Sequence, residues 1–170
     1  TMCPLTMTYA AVPALRHCKT LSEEWVPGIV APSYDQRDIP APEKHGLTVG
    51  MSMTEKQGGS DVRSNTTVAR PDNPNERESG ASYTLTGHKW FTSAPMCDAF
   101  LTLAYADESD RSQGPSCFLV PRWLPDGTRN TGFQIQRLKN KLGDLSNASS
   151  EVEYHGAHGR LIGKEGRGVK

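Results

Sequence analysis

Leu47-Thr48-Val49-Gly50-Met51-Ser52-Met53-Thr54-Glu55-Lys56-Gln57-Gly58-Gly59-Ser60-Asp61 begins as one kind of sequence and ends as another. Leu47, Val49, Met51 and Met53 fall on alternate positions, so they share one face of an extended chain and predict a half-buried strand. At Thr54 the alternation stops. The glycines at 58 and 59 let the backbone approach a ligand closely or turn through φ > 0, which a residue with a Cβ resists. Successive N–H groups in such a turn can form a concavity for an anion. Thr54 and Ser60 add hydroxyls, and Asp61 can accept hydrogen bonds from the turn. On this chemistry alone, a polar glycine turn between two strands explains the stretch as well as a ligand loop does.

The texture around the stretch is β. From His45 onward short apolar runs recur between turn signals, and they predict strands at 47–54, 66–70, 82–86, 89–93, 100–106, 116–121, 133–137 and 150–154. Polar tips are expected at 71–80 (PDNPNERESG) and 107–115. Regular spacing of short strands predicts a mainly β chain folded as an antiparallel β-barrel or sandwich. Before His45 the period is helical. Met7, Ala10, Ala11, Ala14, Leu15 and Cys18 predict a helix over 6–21, which Pro13 should kink or start. Ser22 is placed to cap a short second helix containing Trp25. The prolines between 27 and 42 predict an irregular connector. The expected organisation is therefore a partial helical segment over 1–42, a β-barrel over 43–160, and a linker over 161–170.

Composition narrows the function classes. The chain has 170 residues, 19 basic and 19 acidic side chains and no formal net charge, which argues against a nucleic-acid surface spread over it. Arg137, Lys139 and Lys141 make a small basic cluster, read as a solvated face. Hydrophobic content of 35% is low, as in a chain with many turns or one that buries surface against neighbours. Cys3, Cys18, Cys97 and Cys117 are widely spaced and read as reduced thiols of a cytoplasmic protein. No apolar run approaches the ~18–20 residues of a membrane span. Asn65-Thr66-Thr67 and Asn147-Ala148-Ser149 match the glycosylation pattern but nothing indicates secretion. His155 and His158 have no obvious carboxylate or cysteine partner and lie in a glycine-rich stretch read as a loop, so no metal is expected. No nucleophile elbow, Walker sequence or dinucleotide fingerprint is present. The start at Thr1 and the end after Gly166-Arg167-Gly168-Val169-Lys170 suggest part of a longer protein.

A second stretch, Gly87-His88-Lys89-Trp90-Phe91-Thr92-Ser93, changes the balance. Together with Thr54-Glu55 and Gly59-Ser60-Asp61 it resembles the paired flavin signatures of acyl-CoA dehydrogenases. Cys3-Pro4-Leu5-Thr6-Met7-Thr8, Phe118-Leu119-Val120-Pro121-Arg122 and Lys141-Leu142-Gly143 with Ser146-Asn147-Ala148-Ser149 are similar to one branch of that family, the adaptive-response flavoproteins. The resemblance implies a β-barrel middle domain, FAD as cofactor and an acyl-CoA thioester as substrate. It implies that Met53 and Thr54 meet the pyrimidine side of the flavin ring. Gly59 and Ser60 would lie near the pyrophosphate or the acyl-CoA arm, Phe91 at the ring, and Thr92 and Ser93 near N5. Trp90 precedes Phe91 where many members have a single Trp; alternation favours Phe91, and core packing is the other reading of both rings. The resemblance also implies a catalytic carboxylate in a C-terminal helical domain beyond Lys170, a homotetramer, and DNA contacts assigned to that same domain, with dehydrogenase activity vestigial in the adaptive-response branch. No catalytic residue is assigned within the chain. The chain alone is expected to bind FAD weakly or not at all, leaving Met53 and Phe91 exposed.

Overall fold

The structure is a computed structural model that describes residues 2–106 and 109–169; of the loop expected over 107–115, Asp107 and Glu108 lie outside the described residues. Helix α1 spans Met2–Leu15 and α2 spans Lys19–Ile29. Pro13 does not start α1 but falls in its last turn, where the N–H it lacks would have reached only the carbonyl of Tyr9. Ser22 is not a cap. It lies inside α2, which begins after Cys18 with no side-chain cap. Packing decides this helix instead, because Leu21 and Trp25 recur one turn apart and are both buried.

Seven strands follow: β1 Val49–Thr54, β2 Val68–Pro71, β3 Ser82–Ser93, β4 Ala99–Ala104, β5 Ser116–Pro121, β6 Phe133–Leu138 and β7 Ser149–Ile162. The ladder runs β2-β3-β1-β4-β5-β7-β6, and a further β3–β7 pairing closes β3, β1, β4, β5 and β7 into a barrel. β2 and β6 flank it, beside β3 and β7 respectively. Among the described strands every ladder is antiparallel except β1–β4, which is parallel, a departure from the all-antiparallel expectation; an isolated bridge between Val68 and Tyr105 is also parallel.

Two further expectations are corrected. The runs at 82–86 and 89–93 are one strand, carried through Gly87 at φ +150. β7 runs on through 155–158, where a loop was expected, and ends at Ile162, inside the expected linker. Gly156 makes this continuity possible. With φ +72 it sits where the register steps from Leu85–Ala157 to Thr86–His155, so one extra residue is absorbed as a bulge.

Barrel and helices use opposite faces of the same strands. Tyr83, Leu85, Ala104, Phe118, Val120, Val152 and Tyr154 fill one buried cluster inside the barrel. Leu47, Val49, Leu101, Leu103 and Leu119 point the other way, onto Ala11, Leu15, Leu21 and Trp25 of the helices. β4 is buried along its whole length because it is covered on both sides. Thr8 ties α1 to β1: its hydroxyl accepts from the Val49 N–H at 3.2 Å. The four cysteines are free thiols. Asn65 and Asn147 are buried in the fold, which removes both glycosylation patterns from the surface. Among the described residues no helix is long and apolar enough to cross a membrane.

Candidate functional site

The two glycine-containing motifs are adjacent in space because β1 and β3 pair. The register sets Thr54 opposite Phe91, Ser52 opposite Thr92 and Met51 opposite Ser93. Directly opposed residues share a face, so the strand pair sorts the candidates. Thr92 faces inward, fully buried, with its hydroxyl 2.5 Å from that of Ser52. Its side chain is spent inside the barrel, so only its backbone is left to face a ligand on the outer side. Met51, Thr54, Phe91 and Ser93 share the outer face. Phe91 is 42% exposed there, while Ser93 and Thr54 are half-buried. Met53 is also half-buried, packed toward the helix-side cluster, rather than exposed as expected.

Gly58 and Gly59 do not take positive φ, so no left-handed turn requires glycine at either position. Gly59 matters by its size: a Cβ there would stand 3.2 Å from the Thr54 methyl and press on one of the outer-face residues. Ser60 follows it, exposed, in the loop. The loop is shaped further by Asp61, whose carboxylate accepts from the Arg63 N–H at 3.0 Å.

Behind this face lies a buried ion pair that joins the same two motifs. Lys89 donates to Glu55 Oε1 at 2.8 Å and to the Leu103 carbonyl at 2.8 Å, and both side chains are fully buried. Glu55 also accepts from the N–H and hydroxyl of Thr66 at 2.6 and 3.0 Å, from those of Thr67 at 3.1 and 2.5 Å, and from Gln57 at 2.8 Å. Burial alone would raise its pKa; the ammonium of Lys89 and the donors from Thr67 and Thr66 bring it down to about 2. Gly87 belongs to the same assembly. A Cβ on it would fall 2.7 Å from the Thr67 Cα, so only glycine lets β3 pass this close to the segment that holds Glu55.

Neither Glu55 nor Lys89 was singled out from sequence, although a signal existed. Lys89 shares the parity of Tyr83 and Leu85, so alternation already places it inside the barrel, and a buried lysine requires a partner.

The basic cluster is not a solvated face either. Lys139 is only 9% exposed; its ammonium lies 3.2 Å from the Trp90 ring centroid and 2.7 Å from Glu151. Arg137 bonds the same carboxylate at 2.8 Å, and Lys141 reaches the Asn147 carbonyl. His155 lies on β7 with Nε2 2.7 Å from Glu153, and His158 is 4.0 Å from Asp72, so each has a carboxylate neighbour that sequence did not reveal. Among the described residues no group of three or more possible ligands could hold a metal. Two concavities, of about 780 and 420 Å3, are lined by residues belonging to neither motif.

Comparison with known proteins bears directly on this arrangement. Residues 50–157 match the acyl-CoA dehydrogenase middle domain. The chain belongs to the acyl-CoA dehydrogenase family. Residues 1–36 match the N-terminal domain of the adaptive response protein AidB. Within the family, the chain is 49% identical to the putative acyl-CoA dehydrogenase AidB of Escherichia coli over 99% of its own length and 29% of that protein. It is 37% identical to acyl-CoA dehydrogenase family member 11 of Caenorhabditis elegans, covering 98% of this chain and 26% of that one. The solved structure of that nematode protein in complex with C11-CoA superposes with a TM-score of 0.78 at 36% identity, over 98% of this chain and 27% of that chain. A structure described as Bd2924 in its apo-form gives 0.80 at 34% identity, over 98% and 32%. The chain thus spans less than a third of the length of these relatives.

Proposed function

We propose that this chain forms one wall of a flavin site in a longer acyl-CoA dehydrogenase-like flavoprotein, which binds FAD and oxidises acyl-CoA thioesters at the α,β position. The observation that carries the reading is the β1–β3 register, which gathers Phe91, Thr54 and Ser93 on one outer face. The residues fit the group. A flat ring needs an apolar wall and directed donors at its polar edge, and this face offers an exposed aromatic ring flanked by two hydroxyls. Met53 contributes apolar surface, and Gly59 with Ser60 keeps the adjoining loop slim and polar. Thr92 supports the site through its backbone alone.

FAD, when bound, supplies the hydride acceptor. The matching proton acceptor needs a carboxylate that can be reached and is not already saturated. Glu55 is neither, being sealed in the barrel and bonded to six donors. Glu55 is thus not the base, and the resemblance to the family puts that role in residues outside this chain. The C11-CoA of the nematode relative supports a thioester as the substrate class.

The match of residues 1–36 to the AidB N-terminal domain favours a second reading. In it the full-length protein serves the response to DNA alkylation, with DNA held by parts beyond this chain and dehydrogenation residual. Salt-dependent DNA binding against acyl-CoA turnover separates the two.

The test of the flavin reading is spectroscopic. Full-length protein should carry a flavin absorbance band. Phe91→Ala and Ser93→Ala should each weaken FAD binding by roughly tenfold while leaving the unfolding midpoint in place. A colourless protein, or variants that hold FAD as tightly as the parent, would overturn the assignment.

A further inference from the structure

We infer that Lys139 is a positioning residue for the proposed flavin wall, holding a positive charge against Phe91 so that the site favours the reduced, more electron-rich flavin. The inference rests on the function proposed above.

Its geometry comes from the meeting of three segments. The register of β3 against β7 steps between Lys89 and Thr92, which sets Trp90 and Phe91 in an irregular stretch. Directly after β6, the Lys139 N–H donates to the Ser149 carbonyl at 2.8 Å, and Ser149 is opposite Ser93. The chain therefore delivers the Lys139 side chain beside both rings. Its ammonium stands 3.2 Å from the Trp90 centroid and 4.6 Å from that of Phe91.

The charge count at this place is uneven. Lys139 and Arg137 both use Glu151 as their carboxylate, and a third cation, the Lys56 ammonium, lies 5.5 Å from the Trp90 ring centroid. Arg137 alone would neutralise Glu151, and with 65% of its side chain exposed it could do so at little desolvation cost. Lys139, at 9% exposure, has been taken out of water to be a second cation on the same carboxylate. A nearly desolvated charge acts over a longer reach than a solvated one. A purely structural contact would need only the lysine stem on Trp90. The ammonium is instead directed between two rings, one of which is the proposed wall.

The experiment uses the FAD-loaded full-length protein and its Lys139→Met and Lys139→Arg variants. The readout is the bound flavin's reduction potential, converted to the ratio of affinities for reduced and oxidised FAD. Lys139→Met should lower that ratio by roughly three- to tenfold, the size expected of one charge acting through a medium of intermediate dielectric. Lys139→Arg should restore it, and oxidised FAD affinity should change little. If Lys139→Met fails to fold, Lys139→Gln carries the same expectation. A ratio unchanged in Lys139→Met, or lowered equally in Lys139→Arg, overturns the role of Lys139 and leaves the flavin reading standing. A wild-type protein that takes up no flavin overturns both.

Discussion

Two lysine–carboxylate pairs border β3, and their difference separates what holds this fold from what equips its surface. Glu55–Lys89 is sealed inside the barrel, with every lone-pair direction of the carboxylate engaged. Glu151, with Lys139 and Arg137, sits at the rim on β7. Both carboxylates are held at about 2, but for different reasons. At Glu55 burial pushes upward and Lys89 with the threonine donors overcomes it; at Glu151 hydrogen bonds from Arg137 and Lys139 do the work with little desolvation to oppose. A buried pair is a commitment of the whole fold, because removing one partner strands the other. The Glu151 cluster keeps one exposed member, Arg137, through which water and salt reach it, so losing a partner there strands less charge.

The largest effect is expected from Lys89→Met, which leaves Glu55 charged and unmatched inside the barrel. Urea unfolding should show a loss of about 3–5 kcal/mol, and adding Glu55→Gln should recover a substantial part of it. A loss no greater than that of a rim substitution would collapse the comparison. Gly87→Ala should rank second, at about 1–3 kcal/mol, since its Cβ must displace the Thr67 backbone; a neutral result in thermal unfolding would show that the strand spacing around Glu55 is slack.

The finest test is acid titration. Both carboxylates have folded pKa values below the ordinary 4.5, so each stabilises the fold above that pH and loses its contribution as pH falls from about 4.5 toward 2. Tryptophan fluorescence should report a shallower fall across this window in the Glu55→Gln/Lys89→Met variant than in the parent. Glu151→Gln should shift the curve least, and 1 M salt should shrink that shift further. A Glu151→Gln effect that equals the double variant's and ignores salt would mean that the fold depends on Glu151 as deeply as on Glu55.

The same contrast explains what could be read from the chain and what could not. Val49, Met51 and the apolar run of β4 disclose strands because alternation is local. Phe91 and Thr54 were found as a pair because their motifs carry a resemblance, not because anything in the sequence sets their register. The inward turn of Thr92 depends on the step in register near it. Glu55 and Lys89 lie 34 residues apart, and only the barrel brings them together. The length of β7 was hidden by Gly156 and Gly159, which read as a loop until β3 is seen alongside them. Lys139 looked like one of three solvated cations because no local rule places a tryptophan from another strand beneath it.

The position of β7 in the chain has a consequence for how the protein is born. β7 comes after the other described strands in chain order, yet it pairs with β3, β5 and β6. Nearly half of the sequence separates Ser82 from its partner Arg160, so ring closure is a late, long-range event and should be slow. Until the segment ending at Ile162 emerges from the ribosome, β3 and β5 present unpaired edges, and Lys89 has a carboxylate but an open wall beside it. A nascent chain halted before that point exposes sticky strands. Chaperone dependence of this barrel during translation should therefore drop abruptly once β7 is out.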